Sequence, residues 1–314
     1  MKTRCIIYLA AILLLLPLIL SACRGMGDRI DPLSGGEGSE LRAAQILWDE
    51  GQALQAEGEW YRAVKIYREL VKEYPRVSQS PEAQFQIGVC LEELDDLYPA
   101  FQAYQTLLED YPGKGNLSEI LHRQYQIGEA YLEGRKRWFL FFRIRSGLSR
   151  AEEIFKTVLN NATFSKVAPQ AQYGLARTFQ LRGDFQEAIL EYEQVLVNYP
   201  GTEVVTSALF QIGVCYYQEA LRADYDQREV NEAVRNLGRF IHSFPDDPRS
   251  SRAEDMVDEL IDRKAKKAFD IAKYYERKGS EDGAQIYYRE VAERYPESKY
   301  AEPARKKLEK LGSD

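Results

Sequence analysis

The sequence predicts an all-α protein, a solenoid of about six stacked helical hairpins, and three observations support this prediction. The string FQIGVC occurs twice, at residues 85–90 and 210–215, which indicates internal repeats. Triplets of an aromatic, a small and an apolar residue recur along the chain. An alanine and then a Tyr-Pro pair follow most of these triplets at constant distances. Such repeats bury their apolar faces only by stacking on one another.

Each triplet predicts the first helix of a hairpin. Its residues are spaced i, i+3, i+6, so their side chains lie along one face of a helix. The small residue in the middle lets a second helix approach closely. The six copies are Trp48-Gly51-Leu54, Phe85-Gly88-Leu91, Tyr125-Gly128-Tyr131, Tyr173-Ala176-Phe179, Phe210-Gly213-Tyr216 and Phe269-Ala272-Tyr275.

The alanine and the Tyr-Pro pair predict the second helix. In four copies the alanine comes twelve residues after the small residue, and the second helix is expected to begin near it. Proline lacks a backbone donor and disfavours helical geometry in the residue before it, so the helix should end there. The alanines are Ala63, Ala100, Ala188 and Ala284, and the Tyr-Pro pairs begin at Tyr74, Tyr111, Tyr199 and Tyr295.

These offsets together resemble the tetratricopeptide repeat over roughly residues 41–296. The resemblance implies a right-handed superhelical solenoid with a concave surface, here with a C-terminal capping helix. On this interpretation the aromatic side chains of the triplets belong to the core. The solenoid domain is assigned to residues 41–314.

Two copies depart from the regular spacing. In the third, 23 residues rather than 12 separate Gly128 from the matching Ala151, and the extra residues form the stretch GRKRWFLFFRIRSG at 134–147. Its apolar side chains have no place in the repeat core, which predicts that they contact a partner or a membrane. The alternative is that the stretch folds back as a cap. The proposed contact residues are Trp138, Phe139, Phe141 and Phe142. In the fifth copy, the polar stretch RADYDQRE predicts a solvated loop.

The N-terminus has the features of an export signal. A short basic region is followed by an apolar run from Cys5 to Leu20, and LSAC at 20–23 resembles a bacterial lipobox. Residues 1–22 are therefore predicted to be a lipoprotein signal peptide, Cys23 the lipidated residue, and 23–40 a flexible tether. The alternatives are an uncleaved membrane helix and an ordinary signal peptide.

Composition and motifs argue against catalysis and nucleic-acid binding. The 314 residues carry a net charge of −7 and are 45% hydrophobic, which is typical of a folded acidic protein. Only two histidines are present, and HExxH, CxxC and GxSxG are all absent. We therefore expect no enzyme activity, cofactor, metal site or nucleic-acid partner.

The C-terminal third resembles the BamD family of outer-membrane lipoproteins, through LIDRKA followed by AKYYERKG within residues 231–279 and through the lipobox. The resemblance implies a lipid-anchored scaffold on the periplasmic face of the outer membrane. It would bind the periplasmic domains of the barrel-forming assembly protein and unfolded barrel precursors. Arg263 matches the family arginine at the partner contact, although it could instead form an ion pair within the chain. The alternative function is a tetratricopeptide scaffold that coordinates cell-wall synthesis with envelope constriction.

Overall fold

A computed structural model describes residues 37–134, 142–222 and 227–312. Within these ranges the chain is built of helices and short turns, with no strand. The thirteen described helices are α1 (Glu37–Ala56), α2 (Trp60–Glu73), α3 (Ser80–Glu93), α4 (Leu97–Asp110), α5 (Leu117–Leu132), α6 (Phe142–Asn161), α7 (Ala168–Arg182), α8 (Phe185–Asn198), α9 (Val204–Arg222), α10 (Gln227–Ser243), α11 (Ser250–Arg277), α12 (Glu281–Arg294) and α13 (Ala301–Leu311).

The regular second helices, α2, α4, α8 and α12, begin and end where the sequence predicts. Each starts three residues before its alanine and ends one residue before the Tyr-Pro pair. The tyrosine leaves helical geometry, with φ −128° and ψ 55° at Tyr74, because the following proline disfavours it. Ala63 and Ala284 have no exposed surface. The alanine therefore marks the first buried turn of the second helix.

The small residue of the triplet lies where two helices of a hairpin meet. A Cβ atom added to Gly51 would lie 2.5 Å from Cε1 of Tyr67, and one added to Gly213 would lie 2.6 Å from Cδ2 of Leu237. Both distances are far below van der Waals contact. Glycine is therefore required at these positions for the observed packing.

The helices fall into two compact units, within residues 1–95 and 96–314. In the first unit, α2 packs against both α1 and α3. In the second unit, α4 to α13 pack each against the next in chain order. This all-α arrangement of consecutive helical pairs confirms the predicted tetratricopeptide architecture. The right-handed superhelical path stays a prediction.

The two irregular connections differ from the prediction because helices extend into them. Helix α6 begins at Phe142, so residues 142–147 of the third connection are helical rather than part of a separate inserted segment. Leu148 is buried, which ties this extension to the core. In the fifth connection, α9 continues to Arg222 and α10 begins at Gln227. Four of the eight residues of the predicted loop are therefore helical.

Candidate partner-binding site

Arg263 lies on α11 where this 28-residue helix passes from one core cluster to another. Its first half contributes Met256 and Leu260 to a core with α9 and α10, and its second half contributes Ala265 and Ala268 to a core with α12. Leu260 and Ala265 are five positions apart, so the buried stripe turns by more than a third of the helix circumference there. Residues 261–264 therefore sit at the junction of the two cores.

A cleft of about 380 Å³ opens at this junction. Apolar groups from four helices line it, together with cationic side chains and two carboxylates. Its apolar residues include Leu221, Val230, Leu260, Ile271 and Tyr287, its cations include Arg263, Lys264 and Lys267, and its acids are Asp270 and Glu290. Such a mixture can hold an apolar side chain that is flanked by carboxylates.

Arg263 is exposed and forms an ion pair with Glu259, one helical turn earlier. Its Nη2 and Nε atoms lie 3.0 Å and 3.2 Å from Oε1 of Glu259. The ion pair within the chain, which was the alternative role for Arg263, is therefore formed. The described bonds use only Nε and Nη2, so Nη1 keeps donors for a further acceptor. The ion pair orients the guanidinium and leaves it able to bind a partner.

Tyr217 extends this pair into a network of three side chains. Its hydroxyl donates to Oε2 of Glu259 at 2.5 Å. This hydrogen bond, followed by the pairing with Arg263, lowers the pKa of Glu259. Burial, followed by the bond to Glu259, raises the pKa of Tyr217 to about 12. At neutral pH the network therefore consists of a neutral tyrosine, a carboxylate and a guanidinium, and it fixes the position of Arg263.

Lys264 is held inside the cleft by a neighbouring helix. Its Nζ donates to Oδ1 of Asn231 at 2.5 Å. Burial and then the charge of Arg294 lower the pKa of Lys264. On the other side of Arg263, Asp262 is paired with Lys299 at 3.0 Å. A bound carboxylate would relieve the repulsion between Lys264 and Arg294.

The charge of the C-terminal segment from Arg263 to Lys310 is opposite to that of the whole chain. Residues 263–310 contain 14 Lys or Arg and 9 Asp or Glu, whereas the full sequence has 42 and 49. The cleft therefore lies in a cationic part of an acidic protein. This local excess favours an acidic partner surface over a basic one.

The other predicted site residues fall outside the described part of the chain. Cys23, Trp138, Phe139 and Phe141 are in undescribed ranges. Phe142 opens α6, but its side chain is likewise outside the description. The sequence did not point to Tyr217 or Lys264 as site residues. The ion pair between Glu259 and Arg263 could have been predicted from their i, i+4 spacing.

The described residues contain neither a helix that could cross a membrane nor a cluster of potential metal ligands. None of the helices in residues 37–134, 142–222 and 227–312 combines the length and the apolar character needed to cross a bilayer. The same residues contain no group of three or more potential metal ligands.

Comparison with known proteins identifies the repeats and the family. A tetratricopeptide repeat model matches residues 45–76 and 82–114, and a model described as outer membrane lipoprotein, YfiO, matches residues 144–306. The outer membrane protein assembly factor BamD of Caulobacter vibrioides is 20% identical over 183 residues, which is 58% of this chain and 58% of that protein. The chain thus matches less than two thirds of that relative's length.

Two solved structures with likeness to the chain are those of tetratricopeptide proteins. TTC0263 of Thermus thermophilus is 18% identical, with a TM-score of 0.37, and the match covers 68% of this chain and 98% of that one. A tetratricopeptide repeat protein of Parabacteroides merdae is 12% identical, with a TM-score of 0.38 and coverage of 87% and 100%. The family match includes α11 with Arg263 and extends over more than half of the sequence. The chain therefore belongs to the YfiO, or BamD-like, family of outer membrane lipoproteins.

Proposed function

We propose that this protein is a non-catalytic scaffold in the assembly and insertion of outer-membrane β-barrel proteins. It binds the periplasmic domains of the barrel-forming assembly protein through the cleft around Arg263. The observation that carries this proposal is the cleft itself, which combines apolar side chains with an excess of cationic ones and includes Arg263, on a helix within the family match. A relative over part of the chain is an outer membrane protein assembly factor.

The geometry around Arg263 supports docking of a partner that presents a carboxylate. The guanidinium is already oriented by Glu259, so little side-chain entropy is lost when a second carboxylate binds. The apolar residues beside it supply a surface for a neighbouring aromatic or aliphatic anchor. Unfolded barrel precursors would bind separately, as extended peptides in the groove that stacked repeats create.

A lipid on Cys23 would hold the scaffold on the periplasmic face of the outer membrane. Each buried CH₂ of an acyl chain contributes about 0.8 kcal/mol, so several chains on one cysteine give near-permanent anchoring. The stretch with Trp138, Phe139, Phe141 and Phe142 would add a second contact to a partner or to the membrane. Its aromatic residues and flanking arginines suit either surface.

Co-purification from solubilised membranes tests the proposal. We expect the barrel-forming assembly protein to co-purify with the wild type and to be lost with Arg263→Ala. Arg277→Ala is a matched control, since it removes an exposed arginine from the end of the same helix. The control variant should retain the partner.

Two results would contradict the proposal. One is retention of the barrel-forming protein by Arg263→Ala at wild-type level, which would move the contact elsewhere. The other is co-purification of cell-wall synthases without any barrel-assembly protein, which would support the alternative role in coordinating cell-wall synthesis with constriction.

A further inference from the structure

Helix α8 exposes apolar side chains on the face that points away from its core. Leu190 is 60% exposed and Val197 is 71% exposed, and their spacing of i and i+7 places both on one side of the helix. The opposite face is buried through Ala188, Tyr192 and Val195. Leu190 and Val197 therefore do not contribute to the core packing of their hairpin.

A further exposed apolar residue lies in the turn that is hydrogen-bonded to the C-terminal cap of this helix. Phe164, in the turn between α6 and α7, is 91% exposed. Its neighbour Thr163 accepts a hydrogen bond at 2.9 Å through its carbonyl oxygen from the hydroxyl of Tyr199, which caps α8. We call Phe164, Leu190 and Val197 the α8 stripe.

The equivalent positions compared in the other repeats are polar or glycine, with one apolar exception. The turns correspond because each has the same backbone hydrogen bond, for example from Ser165 to Ala162 and from Thr202 to Tyr199. Phe164 aligns with Arg76, Gly113, Gly201, Asp246 and Glu297. Leu190 aligns with Lys65, Gln102, Arg235 and Ile286, and Val197 with Lys72, Glu109, His242 and Glu293. Only at the α8 stripe are all three positions apolar.

The charges around the stripe are mainly negative. Helix α8 contains three glutamates and no lysine or arginine. Glu187 and Glu193 are exposed on the same face as Leu190, and neither forms an ion pair within the described residues. Lys166, in the turn after Phe164, is the nearest cation along the chain to that phenylalanine. An incoming cationic group would therefore find two available carboxylates.

We propose that the α8 stripe binds a cationic amphipathic helix of a partner protein. Leu190 and Val197 lie two turns apart, about 10 Å along the axis, which matches apolar side chains at i and i+7 of a second helix. Lysines or arginines flanking those side chains would reach Glu187 and Glu193. An anionic membrane surface fits less well because the same carboxylates would repel it. This site is separate from the cationic cleft around Arg263, which selects partners of the opposite charge.

A peptide titration on the full chain tests the proposal. The probe is a fluorescent designed helical peptide with a leucine face and lysines elsewhere, and its twin has glutamates in place of the lysines. We expect the lysine peptide to bind the wild type, and Phe164→Ser with Leu190→Ser and Val197→Ser to weaken it at least about tenfold. Ile286→Ser is the matched control, since Ile286 occupies the position of Leu190 in the last hairpin and is 61% exposed. Binding to this control should be unchanged.

The outcomes separate the proposal from its alternatives. Equal binding of the lysine peptide to the wild type and the triple variant would overturn it. An equal weakening of the glutamate twin by the triple variant would also overturn it, because that twin can bind the cationic cleft around Arg263 but should not need the stripe. Phosphatidylcholine vesicles provide the membrane test. If the wild type binds these vesicles, the triple variant does not, and neither binds the peptide, the stripe contacts lipid and the proposal fails. Far-UV circular dichroism of the triple variant should match the wild type, because all three side chains are exposed.

Discussion

The hydroxyl of Tyr288 donates a hydrogen bond of 2.6 Å to Oε2 of Glu276, from α12 to α11 within the last hairpin. The other oxygen of the same carboxylate accepts from Nζ of Lys307 on α13, also at 2.6 Å. Glu276 therefore connects three consecutive helices. Twelve residues separate it from the tyrosine and thirty-one from the lysine.

The same register recurs in two earlier repeats with neutral side chains. The hydroxyl of Tyr192 donates to Gln180 at 2.6 Å, and Gln180 donates to Gln211 at 2.9 Å. Tyr67, Gln55 and Gln86 repeat this arrangement, with both bonds at 2.9 Å. The offsets of twelve and thirty-one residues are identical in all three cases. A buried tyrosine thus links its hairpin to the next repeat, and in the last hairpin a Glu-Lys pair takes the place of the two glutamines.

Removal of one hydroxyl measures this link. We expect Tyr288→Phe to lower the free energy of unfolding by about 1 to 2 kcal/mol, because a hydrogen bond to a charged group is lost while the ring stays in place. Urea denaturation followed by circular dichroism is the measurement. Tyr287→Phe is the control, because none of the described hydrogen bonds uses its hydroxyl. An equal loss in both variants would show that the bond to Glu276 contributes nothing specific.

The Glu276 carboxylate also predicts a pH dependence. The hydrogen bond from Lys307, followed by that from Tyr288, lowers the pKa of Glu276. A group with a lowered pKa contributes stability above its unfolded pKa, about 4.3 for glutamate, and loses it as the pH falls through the folded value. We expect Lys307→Met to reduce this loss between about pH 5 and pH 3, seen as a flatter melting temperature against pH. A parallel shift of the two curves would contradict this account.

Particular residues show how much of the fold and of the candidate site can be predicted from the sequence. The hairpins could be predicted from local chemistry. A proline such as Pro75 ends a helix, and a glycine such as Gly51 lets a neighbouring helix approach closely. The tyrosine link was also encoded, as a constant offset of twelve. The cleft was not predictable in the same way. It depends on the five-residue step between Leu260 and Ala265, which shows only when both cores are known.

The irregular hairpins illustrate the same limit. Phe155 and Leu237 occupy the places of the linking tyrosines in the two hairpins with long connections. The residue at the acceptor position, four after the small residue of the triplet, is Leu132 in one hairpin and Tyr217 in the other. A hydroxyl there would therefore not meet the glutamine or glutamate that accepts in the regular repeats. The absence of the tyrosine is readable in the sequence, but its reason appears only with the packing.

The close contact of two helices at Gly213 predicts a severe effect of a single methyl group. A Cβ atom there would lie 2.6 Å from Leu237 Cδ2 and 3.3 Å from the Leu237 backbone nitrogen. We expect Gly213→Ala to destabilise the protein by about 1 to 3 kcal/mol, because the helices must separate. Gly238→Ala is the control, since nothing lies within 4 Å of its added Cβ. That variant should be neutral or more stable by up to about 1 kcal/mol. Similar melting temperatures for the two variants would refute the close-contact argument.

The proposed lipid anchor predicts a change of location without a change of fold. We expect Cys23→Ala to place a folded protein in the soluble periplasmic fraction, because the cysteine would be the acyl attachment site. Fractionation followed by immunoblotting is the measurement, and circular dichroism of the purified variant checks the fold. Persistent membrane association of this variant would show that another segment anchors the chain.

The aromatic stretch predicts a loss of binding with little loss of stability. Replacing residues 138–142 with serine removes Trp138 and three phenylalanines, which the repeat spacing predicts to lie outside the core. We expect weaker association with the membrane or the assembly partner in co-flotation and co-purification, and a melting temperature within a few degrees of the wild type. Leu148→Ser is the contrasting variant, because this side chain is 6% exposed and belongs to the core. Its melting temperature should fall, since burial of a polar group replaces apolar packing. If the 138–142 variant melts as early as Leu148→Ser, the aromatic stretch caps its own repeats and does not contact a partner.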